Sequence, residues 1–416
     1  MVESGTVLLV DVVVGRLDPV HADRATAVAA IALAMRRLEV TVRHSTPLAG
    51  NAQGEKARCR YTSRMRPETS ATAAVVAADS RLETEWDELA VLTGAAPFSR
   101  PAWVRAWAAA FGRETRVATV RRAGALVAAL PVVVGRRSIT TAADWHFPEM
   151  EAVWSDAEAL DELSLALVTG RRRATVDFVP AGSATAAAFV EALGLSGFRL
   201  RARPRLVSPF IDFGDGWEAF VDSLSTKKWR ELRRRRRRLE EEGEVEFDTS
   251  DGQADLDRLL SEGFAVEDSG WKADQGTAIA SDRGVERFYR EVACWAANEG
   301  MARVSFLRVG GKAIAFDLSF VDGGSEWLLK TGFNRAWARY SPGTLLRAEA
   351  LRTAFDDKVQ RYEFAGAAEP WKLEWTSATR EILVLDGFAP GVMGAVALQA
   401  SRVSRRLRAL RSRLRS

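Results

Sequence analysis

Two stretches in the last third of the chain bring together side chains and backbone groups that could do chemistry. The first is Tyr340-Ser341-Pro342-Gly343-Thr344-Leu345, which opens an apolar-periodic run. Ser341 is a favoured N-cap residue and Pro342 suits the first helical position. Gly343 removes a side chain where a ligand could approach the helix start, whose unpaired N–H groups and positive dipole bind phosphate. The same residues also describe an ordinary capped helix. The second stretch is a hairpin about Asp322-Gly323-Gly324-Ser325. Pairing Val321 with Glu326 sets Phe320 opposite Trp327 and Leu318 opposite Leu329 on an apolar face. The other face then receives Ser319 opposite Leu328 and Asp317 opposite Lys330. A charged pair on a central hairpin fits a face that lines a cleft, where a carboxylate can be tuned to take a proton, or else a surface ion pair.

The elements around these stretches form an ordered series. Thr226–Glu242 reads as a helix closed by Gly243, followed by a strand over Glu244–Thr249. Leu256, Leu259, Leu260 and Phe264 mark one helix; Val285, Phe288, Val292 and Trp295 mark a second that ends at Gly300. Strands are expected over Ala302–Val309, Ala313–Val321 and Glu326–Phe333, then a helix over Pro342–Phe355 and a strand over Gln360–Ala365. Helices, three antiparallel strands, a helix and a further strand make an α+β layout. Upstream, Trp86, Leu89 and Leu92 and then Trp103, Trp107 and Phe111 follow helical spacing before strands at Arg116–Arg121 and Leu126–Val134. Laid over Arg303–Ser319 at a constant offset of 187, Arg116–Val132 keeps Arg116/Arg303, Val117/Val304, Arg121/Arg308, Gly124/Gly311 and Ala128/Ala315 identical. Both hairpins follow an aromatic-rich helix, which points to internal duplication. At that offset Leu130 stands for Asp317 and Val132 for Ser319. The first copy should therefore bury the face that the second opens to ligand.

Bulk properties narrow the chemistry. The 416 residues are 47% hydrophobic and 27% charged, enough for two folded domains. Cys59 and Cys294 cannot make a disulfide framework, and His21, His44 and His146 lie far apart with no metal-site spacing, so zinc or Ser-His-Asp chemistry has little to work with. No segment reaches the roughly 18 consecutive apolar residues of a spanning helix. The expectation is a soluble, cytoplasmic protein, or one peripheral at the inner face of the membrane. In residues 1–75 a short strand-like run and an Ala-rich helix lead into the polar tract Thr46–Arg66; the expectation is a poorly ordered N-terminal extension or, if Met65 is the true start, a partly untranslated one. Lys227–Arg238 surrounds one helix with basic side chains, suited to a polyanion such as the phosphates of a co-substrate, a nucleotide-linked substrate or RNA, or to local pairing with Glu240, Glu241 and Glu242. The tail Arg402–Ser416 carries seven arginines and no acid, with Val403, Leu407, Leu410 and Leu414 on one face. It fits an anionic membrane surface, a solubilising tail, or a helix docked on the protein itself.

Four elements carry a family resemblance: Glu267-Asp268-Ser269-Gly270-Trp271-Lys272, Lys330-Thr331-Gly332-Phe333, Tyr340-Ser341-Pro342-Gly343, and Gly366 followed by Trp371-Lys372. Together with the Arg-rich helix they resemble the FemAB-related branch of the GNAT superfamily, in particular CelD-like acyltransferases, over roughly residues 80 to 385. The resemblance implies two tandem GNAT-like domains, each a mixed, largely antiparallel sheet flanked by helices: a degenerate one over 76–212 and a catalytic one over 213–389, with a basic tail over 390–416. It also implies acetyl-CoA or another acyl-CoA as co-substrate, no metal, and pyrophosphate held at Ser341, Pro342, Gly343, Thr344 and Leu345. The usual loop would need Gln or Arg at Tyr340 and Gly or Ala at Leu345, so this loop departs from the pattern. The acceptor would be an amine or hydroxyl of a small molecule or cell-envelope precursor. Asp317 and Glu267 are candidate bases, Tyr340 a candidate proton donor to the thiolate, and Trp271, Lys272, Lys330 and Lys372 candidate substrate contacts. Two alternatives stay open: aminoacyl transfer from aminoacyl-tRNA, and a non-enzymatic scaffold on anionic surfaces.

Overall fold

The computed structural model describes residues 71–270, 279, 282–392 and 394–399. The expectations for residues 1–70, for Trp271 and Lys272, and for the basic tail from Arg402 lie outside the described residues. The N-terminal half runs β1 (Ala71–Val76), α1 (Ser80–Thr93), α2 (Pro101–Phe111), β2 (Arg116–Arg122), β3 (Ala125–Val134), β4 (Ser138–Thr141), β5 (Val153–Trp154), α3 (Ala157–Val168), β6 (Arg173–Pro180), α4 (Ala184–Leu195) and β7 (Arg199–Asp212). The C-terminal half follows with α5 (Gly216–Ser223), α6 (Thr226–Glu240), β8 (Val245–Ser250), α7 (Leu256–Asp268), α8 (Arg283–Asn298), β9 (Ala302–Val309), β10 (Lys312–Asp322) and β11 (Ser325–Phe333). It ends with α9 (Pro342–Asp356), β12 (Arg361–Glu363), α10 (Pro370–Leu373) and β13 (Thr379–Phe388).

Local chemistry explains most boundaries. Asp79 caps α1 through the Leu82 amide at 2.8 Å, and Gly94 ends the helix in the left-handed region that favours glycine. Trp86 and Leu89 are buried as their spacing predicts, whereas Leu92 turns out exposed. β1 pairs antiparallel with β2, so the first strand starts within the stretch set aside as an extension. β12 is shorter than expected: its register with β11 and with β7 runs only from Arg361 to Glu363.

The duplication is visible in the hydrogen-bond registers. Arg116 faces Val132 in β2–β3, and Arg303 faces Ser319 in β9–β10, the same offset of 187. Val120↔Ala128 and Leu307↔Ala315 also correspond, and both ladders slip at the next pair. The repeats exchange their last strands. The sheet order is β1-β2-β3-β4-β6-β13-β7-β12-β11-β10-β9-β8, with β5 on β3. Thus β13 completes the N-terminal half beside β6, and the end of β7 completes the C-terminal half beside β12.

One apolar core runs through both halves. Phe98 meets Trp327 edge-on at 4.9 Å, and Trp103 meets Phe288 at 5.2 Å. This core takes the Phe316, Leu318 and Phe320 face of β10, under α7 and α8. A second core lies on the Ile314 and Ala315 side, beneath α9. Helix α7 sits unusually close to the first face. A Cβ on Gly263 would fall 2.2 Å from the Phe316 ring, and one on Gly332 would fall 2.7 Å from the Glu267 Cα. Two of the family-like motifs, around Glu267 and around Gly332, are therefore one packing contact.

The hairpin register corrects the sequence reading. Val321↔Glu326, Phe320↔Trp327 and Ser319↔Leu328 hold, but a bulge then places Leu318 opposite Lys330 and Asp317 opposite Thr331. The extra residue in β11 separates Asp317 from Lys330 and sends them to opposite faces of the sheet.

Candidate functional site

β11 and β12 run parallel through three register pairs, the last being Trp327↔Glu363. Beyond it β11 continues to Phe333 while β12 ends, so the β11 edge from Leu328 onward has no strand beside it among the described residues. At the open end stands α9. Pro342 is its first residue, as expected, but Ser341 does not cap it. Ser341 lies in the left-handed region (φ 52°), makes no side-chain bond to the helix amides, and accepts a hydrogen bond from Arg235 Nη1 instead. The Arg-rich helix α6 thereby lines the start of α9. Its acids bind much of its charge: Glu231 takes Arg234 and Arg235 at 2.7 Å each, and Arg236 reaches Glu349 at 3.0 Å. Arg233, Arg237 and Arg238 remain exposed.

The equivalent helix in the N-terminal half carries a carboxylate at its start. The Asp156 carboxylate caps α3 through the Ala159 amide at 2.9 Å. Leu130 and Val132 are fully buried, and they line an enclosed gap with Leu167 and Phe189 that has no room for a water.

On the α9 face, Asp317 belongs to a buried ionic network. Its carboxylate lies 2.7 Å from Arg347 Nη2, both side chains being only 2–3% exposed. Arg347 also donates to the Tyr362 hydroxyl. Burial works against the Arg347 charge, yet Asp317, Tyr362 and Glu326 together outweigh it and the guanidinium is held more firmly protonated than usual. Alongside, Ser319 Oγ donates to Glu326 Oε1 at 2.6 Å, and Arg303 spans Glu326 and Asp357 at 2.7 and 2.5 Å.

The opposite face gathers titratable groups from both halves. Lys330 Nζ sits 4.4 Å from the Tyr289 ring centroid. The Tyr289 hydroxyl is 3.5 Å from His146 Nδ1, and His146 stacks on Phe111. Burial lowers the Lys330 pKa, with the Glu267 charge opposing it; burial also raises Tyr289 and lowers His146, which Lys330 pushes further down. Glu267 is 1% exposed and accepts the Ile279 amide at 3.0 Å.

The remaining expected residues are committed to structure. The Tyr340 hydroxyl donates to Glu242, and that bond raises its pKa. Leu345 is buried in the second core, so only its backbone could face a ligand; Thr344 N–H already bonds Ser341 O at 3.0 Å. Lys372 is buried with Nζ 2.7 Å from Ala365 O, 3.0 Å from Ala367 O and 3.2 Å from Glu369 Oε2. It pins a turn in which Ala365 and Gly366 both have positive φ. Lys372→Met should therefore lower stability by about 1–3 kcal/mol in urea unfolding; an unchanged midpoint together with weaker substrate binding would return Lys372 to the substrate.

Residues 226–373 match the family model of the acetyltransferase (GNAT) domain. A GNAT-type domain thus covers α6 to α10, including the split strands and the start of α9. Among solved structures, FemX is 10% identical, with a TM-score of 0.52, covering 76% of this chain and 97% of FemX. A conserved protein of unknown function from Bacteroides thetaiotaomicron is 12% identical, with a TM-score of 0.50, covering 74% of this chain and 97% of that one. A tandem GNAT protein from the clavulanic acid biosynthesis pathway is 15% identical with a TM-score of 0.39, covering 78% and 100%. At these identities the first two speak to the fold alone. Comparison with curated proteins matches none of them. Among the described residues, no helix is long and apolar enough to cross a membrane, and no group of His, Cys, Asp and Glu could hold a metal ion.

Sequence reasoning missed Arg347, Tyr289, His146 and Glu363. His146 was set aside because no partner lay near it in sequence; only the packing of α2 on α8 brings it to Tyr289.

Proposed function

We propose that the C-terminal half transfers an acyl group, acetyl in the simplest case, from acyl-CoA to an amine or hydroxyl of a small-molecule or envelope-precursor acceptor. The observation that carries this reading is the parting of β11 from β12 beside a helix start that no side chain caps and that Arg235 flanks. The residues fit such a donor: a Cβ at Gly343 would meet only Phe333 Cδ1 at 3.5 Å, so the helix start is not crowded. Backbone amides at Gly343 and the exposed basic side of α6 would hold the phosphates. CoA supplies an activated thioester when bound. The edge of β11 beyond Trp327, beside which no described strand lies, would offer backbone N–H groups to polarise a carbonyl, and Lys330, Tyr289 and His146 form the wall that an acceptor would meet. Lys330, partly deprived of water, suits an acceptor carrying a carboxylate or phosphate. On this reading the chain divides near residue 212, and the N-terminal half shapes the acceptor wall without binding CoA.

The test is Gly343→Glu. It should weaken acetyl-CoA binding in calorimetry by at least about 100-fold, since it sets a carboxylate against the phosphates, while the melting temperature stays near that of the parent. Unchanged affinity would put the donor elsewhere. A second reading, transfer from aminoacyl-tRNA, draws on the exposed Arg233, Arg237 and Arg238. It expects aminoacyl-tRNA, and not acetyl-CoA, to raise the melting temperature.

A further inference from the structure

Glu363 is the last residue of β12 and the partner of Trp327 at the point where the two strands part. Its side chain leaves on the Trp327 face, because Arg380 of β13 touches both: Nη1 is 2.9 Å from Glu363 Oε1, and the guanidinium lies 5.3 Å from the Trp327 ring centroid. That face is the one that carries Lys330 further along β11. The Glu363 carboxylate is 1% exposed.

Its partner is shared. Arg380 Nη2 lies 2.7 Å from Glu149 Oε2, which the N-terminal half contributes. The contacts are ion pairs without good hydrogen-bond alignment, so both oxygens of Glu363 and Oε2 of Glu149 lack an aligned donor among the described residues. A third acid, Glu151, accepts from Thr185 Oγ1 at 3.3 Å. Arg361 also faces the group from β12, but its own guanidinium turns to Asp212 Oδ2 at 3.2 Å. Two buried carboxylates thus share one arginine, whose Nε has no aligned acceptor among the described residues, and the half-buried Glu151 lies near Glu149 in sequence. A carboxylate placed only to tie the halves together would be expected to take both prongs of Arg380. Glu363 takes one, and keeps lone pairs free at the floor of the split.

We propose that Glu363 is the general base of the transfer, with Arg380 and Glu149 as its positioning residues. The inference rests on the donor reading above. The acceptor's N–H or O–H proton passes to a Glu363 oxygen while the acceptor lone pair forms the new bond to the acyl carbon. The C–S bond breaks and its electron pair leaves on sulfur, which takes up a proton from protonated Glu363 or from solvent. The balance is acceptor–H plus acyl–S giving acyl–acceptor plus H–S. Burial, opposed by Arg380 and aided by Glu149, pushes the Glu363 carboxyl up to about 7, where a group can both take and return a proton. Asp317 and Glu267 are less free for this work, the one held by Arg347 and the other receiving the Ile279 amide.

The test uses the full chain in two arms. In the first, infrared spectra follow the protonated-carboxyl band across pH, with Glu363→Gln assigning the band. The wild-type midpoint should lie near 7, and a non-hydrolysable acetyl-CoA analogue carrying a ketone should shift the band. Should the analogue bind and leave the Glu363 band unmoved, the proposal is wrong. Should the analogue fail to bind the wild type at all, the donor reading fails, and the base assignment falls with it. In the second arm, thiol release from acetyl-CoA is followed with ethylamine as surrogate acceptor. Glu363→Gln should slow release at least about 100-fold and flatten its pH dependence while analogue binding holds within a few-fold, and Glu363→Asp should recover part of the rate. Glu149→Gln leaves Arg380 to Glu363 alone, so the midpoint should move to lower pH. Wild-type rates in Glu363→Gln, or an unmoved midpoint in Glu149→Gln, would overturn the respective roles.

Discussion

Asp317→Asn should destabilise the chain by about 3–5 kcal/mol, the cost of leaving a buried charge without its counter-ion. Arg347 is among the most deeply buried charged side chains, at 1% exposure, and its nearest anion is Asp317 at 2.7 Å. The Tyr362 hydroxyl can accept one of its hydrogen bonds but carries no charge to balance it, and burial holds that hydroxyl firmly protonated. Glu326 is the next acid, and burial raises its pKa even though Arg303 and Ser319 oppose that. It is a poor substitute for Asp317. Because the pair ties α9 to β10, loosening it would also displace the helix start at Pro342, and acyl-CoA binding should weaken with the fold. Urea unfolding of the single variant and of Asp317→Leu with Arg347→Leu separates the causes. Replacing both ions by apolar side chains should recover much of the loss, since a buried pair is often no better than a packed apolar one. A single variant that melts like the parent but no longer turns over would restore Asp317 to the chemistry.

The periodic elements were legible in the sequence because burial sets their pattern. The strands at Ala302–Val309 and Ser325–Phe333 and the helix from Pro342 fall where alternation and Pro-Gly punctuation put them. The duplication was legible because both hairpins keep one register, down to the slip after Val120 and Leu307. The facing of Asp317 was not. A bulge adds one residue without changing composition, and one residue is enough to turn Lys330 to the other side. Ser341 shows the limit of cap rules: the residue type suits a cap, but its backbone is left-handed where a cap is extended, and its hydroxyl accepts from Arg235, far away in sequence, instead. Glu363, Arg380 and Glu149 could not be grouped by reading along the chain, because they meet only through strand exchange and the contact between halves.

That exchange carries the prediction with the largest structural effect. Ending the chain at Ala378 removes β13, which is hydrogen-bonded on both sides, to β6 and to β7, within the sheet of the N-terminal half. Its residues are fitted to that half. Asp386 is 2% exposed, accepts from Thr175 at 2.8 Å and pairs with Arg173 at 2.5 Å. A Cβ on Gly387 would fall 2.1 Å from Leu193 Cδ2, so helix α4 lies directly on the strand. Without β13 the buried edge of β6 faces no partner, and the apolar residues Ile382, Leu383 and Leu385 leave the shared core. The N-terminal half should then lose cooperative folding even though every residue up to Asp212 is present, and the same holds for residues 71–212 expressed alone. Near-UV circular dichroism from Trp103 and Trp107 and protease protection of β2–β6 would read this out. A shortened chain whose N-terminal half keeps its near-UV signal and a sharp melt would mean that the repeats fold independently. In that case the arginine shared by Glu149 and Glu363 would be an accessory to two autonomous domains rather than part of one cooperative sheet.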